Sequence, residues 1–297
     1  MKRFYLGAVV ALSLAFICGL FLGISSPKVS QAFEQAKYQF RVQLGLPKFW
    51  VPLPGGSVDP LQQIADCPDP ETTIVLVTGG QSNASNAISN QSATKVGENV
   101  YSWFAGNCYI ARDPVPGATG NYGSLWPLVG LELAKKTDRP VLLINGAIGS
   151  TQVADWVDTR SGYYAALRDR MAEVRGAGYE ADIIAWHQGE TDAKVGGDMA
   201  LFKQQLQTLT NQLLADMPKA RLYMFRASRC IGPMRQDGVA EILRVQTEVA
   251  EENDRIVAGM DTDILGNDYR WDMCHLNSLG RAAIIEQIVP ELTVLLR

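Results

Sequence analysis

Histidine is almost missing from this chain, with only His187 and His275 in 297 residues. Any chemistry that needs an imidazole is therefore confined to two positions. Cysteine is sparse too: five residues, with no Cys-x-x-Cys pair and no Cys/His spacing of the zinc type. No metal site is expected from such a pattern. A Gly-x-Ser-x-Gly run is absent, which excludes the strand-to-helix elbow built on that signature. There is no internal repeat and no low-complexity tract. An excess of basic residues is lacking where it would matter. Residues 1–48 hold six Lys/Arg and one Glu, but the remainder holds 21 basic and 30 acidic residues. An acidic main body offers no face for a nucleic acid.

At 47% hydrophobic and 20% charged, the chain has material for a full globular core. Lys2 and Arg3 precede an apolar run without a charge over residues 4–24. That length can span a bilayer and exceeds the usual apolar core of a signal peptide, which is about 7–15 residues. Ser30-Gln31-Ala32 is a weak cleavage site. Residues 1–26 therefore read as a signal anchor in preference to a removed signal peptide. Either way the domain is exported, membrane-anchored or secreted/periplasmic. Residues 27–70 contain Pro27, Pro47, Pro52, Pro54, Pro60 and Pro68 and read as a stalk or N-terminal arm.

From residue 71 onward, strand-like and helix-like runs alternate. Strand-like runs are Ile74–Thr78, Val141–Asn145, Asp182–Trp186, Arg221–Arg226 and Ile256–Met260. Helical periodicity covers about 125–136, 162–176, 198–216, 237–253 and 278–295. Asp198 is a candidate N-cap, with Leu201, Leu206, Leu209 and Leu213 close to one face. Continuous apolar strands between helices predict an α/β domain, a doubly wound five-stranded parallel sheet with helices on both faces. Residues 79–124 form a Gly/Asn/Ser-rich excursion with one short possible strand, Val100–Phe104. Such sheets bind ligands at the carboxyl ends of their strands, and the chemically suggestive residues gather there. Ser82 follows the first strand within Gly79-Gly80-Gln81-Ser82-Asn83. Gly149 follows the second and can turn a backbone N–H into the cleft. Trp186-His187-Gln188-Gly189-Glu190-Thr191-Asp192 closes the third. Its Gln188 amide can donate to a developing oxyanion.

A serine nucleophile needs a base, and the base an acidic orienter. Asp272-x-x-His275 supplies both on a late loop. His187 is a rival base, but it alternates with Gln188. If Gln188 faces the cleft, His187 packs beneath it.

Four islands together carry a resemblance: Gly80-Gln81-Ser82-Asn83; Gly149-Ser150-Thr151 with Trp156 after it; the full Trp-x-Gln-Gly-Glu-x-Asp block at 186–192; and Asp272-x-x-His275. Their order and spacing over 71–297 resemble the SGNH/GDSL hydrolase superfamily. Within it they are similar to the sialate O-acetylesterase group, carbohydrate esterase family six. Ser150 replaces a glycine usual in that family, and Ala84 stands where Met often follows. The resemblance implies a flavodoxin-like three-layer sandwich and cofactor-free removal of O-acetyl groups from an O-acetylated glycan. Ser82, His275 and Asp272 would be the triad, with an oxyanion hole from the Ser82 N–H, the Gly149 N–H and the Gln188 amide. A glycan O-acetyltransferase and a non-catalytic glycan-binding module are the alternatives on the same fold.

Export allows disulfides among Cys67, Cys108, Cys230 and Cys274. Cys230 follows the fourth strand and Cys274 adjoins His275, which must reach the same edge to meet Ser82. Cys230–Cys274 and Cys67–Cys108 are the expected bonds.

Overall fold

A computed structural model describes residues 52–54, 58–89, 99–230 and 236–297. The expected leader at 1–26, its apolar run included, lies outside them. Among the described residues no helix is long and apolar enough to cross a membrane.

Eight strands form one sheet: β1 (Ile64–Ala65), β2 (Ile74–Gly80), β3 (Val100–Phe104), β4 (Asn107–Ile110), β5 (Val141–Asn145), β6 (Ile183–His187), β7 (Arg221–Arg226) and β8 (Ile256–Asp261). Their order is β1-β4-β3-β5-β2-β6-β7-β8. The five expected strands occupy one contiguous half, β5-β2-β6-β7-β8, all parallel. The count of five is corrected to eight because the excursion returns to the sheet. β3 pairs with β5 in parallel, and β4 turns back against β3. The turn between them, Ala105-Gly106, has φ of 49° and 76°, the left-handed pair that suits a tight hairpin. Most of the expected stalk or arm at 27–70 lies outside the described residues; within its described end, β1 pairs with β4, and a Cys67–Cys108 disulfide staples the two. Tyr179 Oη also donates to the Pro68 carbonyl.

Alternation along the central strands explains the two-sided core. Val75, Val77, Leu142, Ile144, Ile184 and Trp186 point to one side, and Ile74, Leu76, Val141, Leu143, Ile183 and Ala185 to the other. Helix α1 (Trp126–Thr137) and the last helix, Ser278–Leu295, cover the second side. The first side receives α2 (Val153–Val157), α3 (Tyr163–Gly176) and, beyond the short α4 (Glu190–Val195), α5 (Met199–Asp216) and α6 (Gln236–Glu251). The last helix is α7. Asp198 caps α5 through its carboxylate, accepting from Ala200 and Leu201 N–H. The buried stripe of α5 is Phe202, Leu206, Leu209 and Leu213; Leu201 points outward instead.

The strand order reverses at β2, since the chain next builds on one side of it and then crosses to the other. β2 ends in Gly80 at φ 115°, where an added Cβ would stand 2.0 Å from the His187 carbonyl oxygen. Only glycine lets β2 and β6 approach so closely just before Ser82. Gly80→Ala should destabilise the fold by about 2–4 kcal/mol, the combined scale of backbone strain and overpacking. Urea unfolding checks this, and a midpoint equal to that of the parent would contradict it.

Candidate active site

The carboxyl ends of β5, β2 and β6 lie side by side and carry three of the expected residues. Ser82 opens a short 3₁₀ turn, Ser82–Ala84, two residues after the end of β2 at Gly80. It is buried, and its backbone N–H has no acceptor among the described residues. Gly149 lies against it: a Cβ there would stand 3.7 Å from Ser82 Cβ and 3.4 Å from Thr119 Oγ1. The Gly149 N–H itself donates to Thr119 Oγ1 at 2.7 Å. Gln188, directly after β6, is buried. Its amide donates to the Thr151 carbonyl, and at 3.3 Å to Gln81 Oε1. Both side donors expected of an oxyanion hole are thus already engaged, and the Gln188 amide also lies 3.4 Å from the Asp192 carboxyl group.

β8 lies three strand spacings from β2, about 14 Å, so the segment after it must travel back across the strand ends. It does so as a closed loop. Trp271 N–H donates to the His275 carbonyl at 2.9 Å, and Arg270 bridges to Leu276. The buried Arg270 guanidinium gathers the carbonyls of Thr262, Leu265 and Cys274. Cys274 is bonded to Cys230, beyond the end of β7. Both disulfides pair as the chain topology led us to expect.

Asn83 fastens this loop to the serine turn. Its Oδ1 accepts the Leu276 N–H at 3.1 Å, and its Nδ2 donates to the Cys274 carbonyl at 3.3 Å and to Glu190 Oε1 at 2.8 Å. The residue beside Ser82 is thereby bonded to the residues on both sides of His275. Within the loop, Asp272 Oδ1 accepts the His275 backbone N–H at 2.6 Å, and Asp272 Oδ2 meets His275 Nδ1 at 2.6 Å. Among the described residues His275 Nε2 has no hydrogen-bond partner, and Ser82 Oγ is not within hydrogen-bond distance of it. Burial works against the Asp272 carboxylate, but hydrogen bonds from His275 and Cys274, together with the imidazole charge, hold its pKa below the ordinary range.

His187 lies beneath Gln188. Its ring stacks on Phe225 with centroids 4.7 Å apart, and Nε2 is 3.3 Å from Glu190 Oε1. Burial alone would raise the Glu190 pKa, yet the His187 charge and hydrogen bonds from His187 and Asn83 bring it below the usual carboxylate value. Asn83 and Glu190 sit inside the quoted sequence blocks, but their roles show only in three dimensions. Thr119 lies in the excursion, with no local signal. A cavity of about 450 Å³ opens beside it, walled by Val115, Thr119 and Asn121 and by Pro54, Val58 and Asp59 of the arm. Among the described residues no cluster of His, Cys, Asp or Glu could hold a metal ion.

A doubly wound sheet with Ser, Gly and Gln at adjoining strand ends, and an Asp-x-x-His loop folded onto the serine turn, defines an SGNH-type hydrolase. The sequence signature of the carbohydrate esterase, sialic acid-specific acetylesterase family matches residues 75–289, and the chain belongs to that family. It is a carboxylic ester hydrolase acting on carbohydrate acetyl groups. No curated protein is a significant match to it. Similar solved structures include a protein from Arabidopsis thaliana, at 15% identity and a TM-score of 0.62, covering 75% of this chain and 98% of that one. A carbohydrate acetylesterase from Xanthomonas citri is 16% identical with a TM-score of 0.51, covering 72% of this chain and 54% of that one. At these identities the likeness is one of fold.

Asp192 adds a pH dependence. It is buried, accepts the Val153 N–H at 3.0 and 3.2 Å and lies 3.4 Å from the Gln188 amide. Burial pushes its pKa from 3.8 up to about 7, against those two hydrogen bonds. The native state therefore holds a proton that the unfolded chain releases. The stability this contributes is complete below pH 3.8 and is lost as pH rises through about 7. Asp192→Asn should flatten the decline in melting temperature across that window. Calorimetry at stepped pH reads the slope, and a slope parallel to the parent's would contradict the assignment.

Proposed function

We infer that this chain is an exported serine esterase that removes O-acetyl groups from a glycan through an acetyl-enzyme on Ser82. The observation that supports this most is the Asn83 cross-link, which holds an Asp272-oriented His275 beside the serine turn. Ser82 Oγ would attack the acetyl carbonyl carbon while its proton passes to His275 Nε2. The carbonyl oxygen becomes an oxyanion. It meets the open Ser82 N–H, and a charged oxygen is a stronger acceptor than the neutral Thr119 hydroxyl or Thr151 carbonyl. The Gly149 N–H and the Gln188 amide would exchange those partners for it. Collapse breaks the bond to the sugar oxygen, which takes the proton from His275. Water then attacks the acetyl-enzyme, giving its proton to His275. Release of acetate returns that proton to Ser82. Asp272 stays ionised throughout and stabilises the imidazolium.

Export is supported by the two disulfides, which persist in oxidising surroundings, and by the uncharged run at 4–24. That run would serve as signal or anchor.

Ser82→Ala and His275→Ala should each lower acetate release from an O-acetylated saccharide by roughly 10⁴–10⁶, the usual cost of losing a triad member. His187→Gln, which keeps a donor for the buried Glu190, should retain most of the activity. If the His187 variant were as inactive as the His275 variant, with its fold intact, the base would be misassigned. Near-normal turnover by Ser82→Ala would remove the nucleophile.

A further inference from the structure

Two aromatic rings beside the histidine have no packing role that explains their exposure. Trp103, Trp126, Trp156 and Trp186 are each 5% exposed or less, whereas Trp271 is 48% exposed and Tyr122 53%. Leaving an indole half in water forgoes apolar burial, yet Trp271 is held firmly in that position. Its Nε1 donates to the Ala87 carbonyl at 3.1 Å, and its ring stacks on His275 at 5.7 Å with a 23° tilt. Tyr122 stands 6.2 Å from Trp271 at 55°, and its backbone N–H is tied to the Asn86 carbonyl at 3.1 Å. The two rings form a tilted pair, with Trp271 against the imidazole and Tyr122 on its outer side. The Tyr122 hydroxyl has no partner among the described residues.

We propose that Trp271 and Tyr122 form a platform that binds the pyranose ring carrying the acetyl group. This rests on the assignment of His275 as the acid that protonates the departing alcohol. That step puts the sugar oxygen at His275 Nε2, in the plane of the imidazole, and the Trp271 indole stacked on that ring is the aromatic surface beside it. A pyranose offers a face of C–H groups that packs on an aromatic plane and a rim of hydroxyls that take hydrogen bonds. A tilted Trp/Tyr pair with a spare phenolic O–H complements both. An acyclic acetyl ester can occupy the acyl side of the site but gains little from the platform.

The test compares kcat/KM for a peracetylated methyl pyranoside with that for glycerol triacetate, which carries the same acyl group without a ring. Tyr122→Ala should lower the pyranoside-to-triacetate ratio about five- to tenfold, mainly through KM, the scale of one aromatic contact. Trp271→Phe, which preserves a ring against His275, should lower it less than Trp271→Ala. An independent readout needs no turnover: Ser82→Ala protein titrated with the pyranoside should change its tryptophan fluorescence, and adding Trp271→Phe should abolish the change. An unaltered ratio in all three variants overturns the platform alone. Hydrolysis of neither ester by the intact protein, with no fluorescence response, overturns the platform and the esterase assignment together.

Discussion

One buried side-chain amide holds the site together. Asn83 is 193 residues from Leu276 in sequence, yet its carbonyl oxygen accepts that residue's N–H. Its amino group is shared between the Cys274 carbonyl and the Glu190 carboxylate. A hydrogen bond to a buried charge contributes about 1.5–3 kcal/mol, and a buried carboxylate stripped of partners is costly. Glu190 therefore needs Asn83 and His187 as much as they need it. The consequence is geometric. The serine turn, the end of β6 and the loop bearing His275 cannot move separately without breaking a buried, charged contact.

The remaining supports reach the same loop from other directions. Arg270 draws its carbonyls inward, Cys274 is tied by disulfide to the segment after β7, and Trp271 is pinned to Ala87. Held this way, an imidazole acting as the proposed base would lose little freedom in the reaction, which is how preorganised sites lower a barrier. The donors around Ser82 follow a related logic. In the resting protein the Gly149 N–H is satisfied by the Thr119 hydroxyl and the Gln188 amide by the Thr151 carbonyl, so neither is left unpaired in a buried site. In the proposed mechanism they would turn to the oxyanion.

Much of this was legible in the sequence, because apolar strands buried on both faces leave continuous runs. Val141–Asn145 and Arg221–Arg226 match the observed strands to the residue. The disulfides were readable because β7 and the His275 loop had to end at one edge of the sheet. β1 was not readable: two residues carry no alternation, and their place is set by β4 and a disulfide. β4 escaped because Ala105-Gly106 is an unusual hairpin turn. The local environment of Gly149 was equally hidden, since Thr119 comes from a loop with no periodicity and is placed beside Gly149 by its N–H bond to the Ala147 carbonyl at 3.0 Å. Motifs named the candidate groups, while their supports depend on tertiary contacts that no local pattern records.

The central claim is that an acetyl group passes through Ser82. Rapid acid quenching of the protein during turnover of an acetyl ester, followed by peptide mass spectrometry, tests it directly. The account predicts one added acetyl group on the peptide containing Ser82, formed and lost at the pace of turnover. Acetate release with no acetylated Ser82 at any time, or an acetyl group on another residue at that pace, would contradict it.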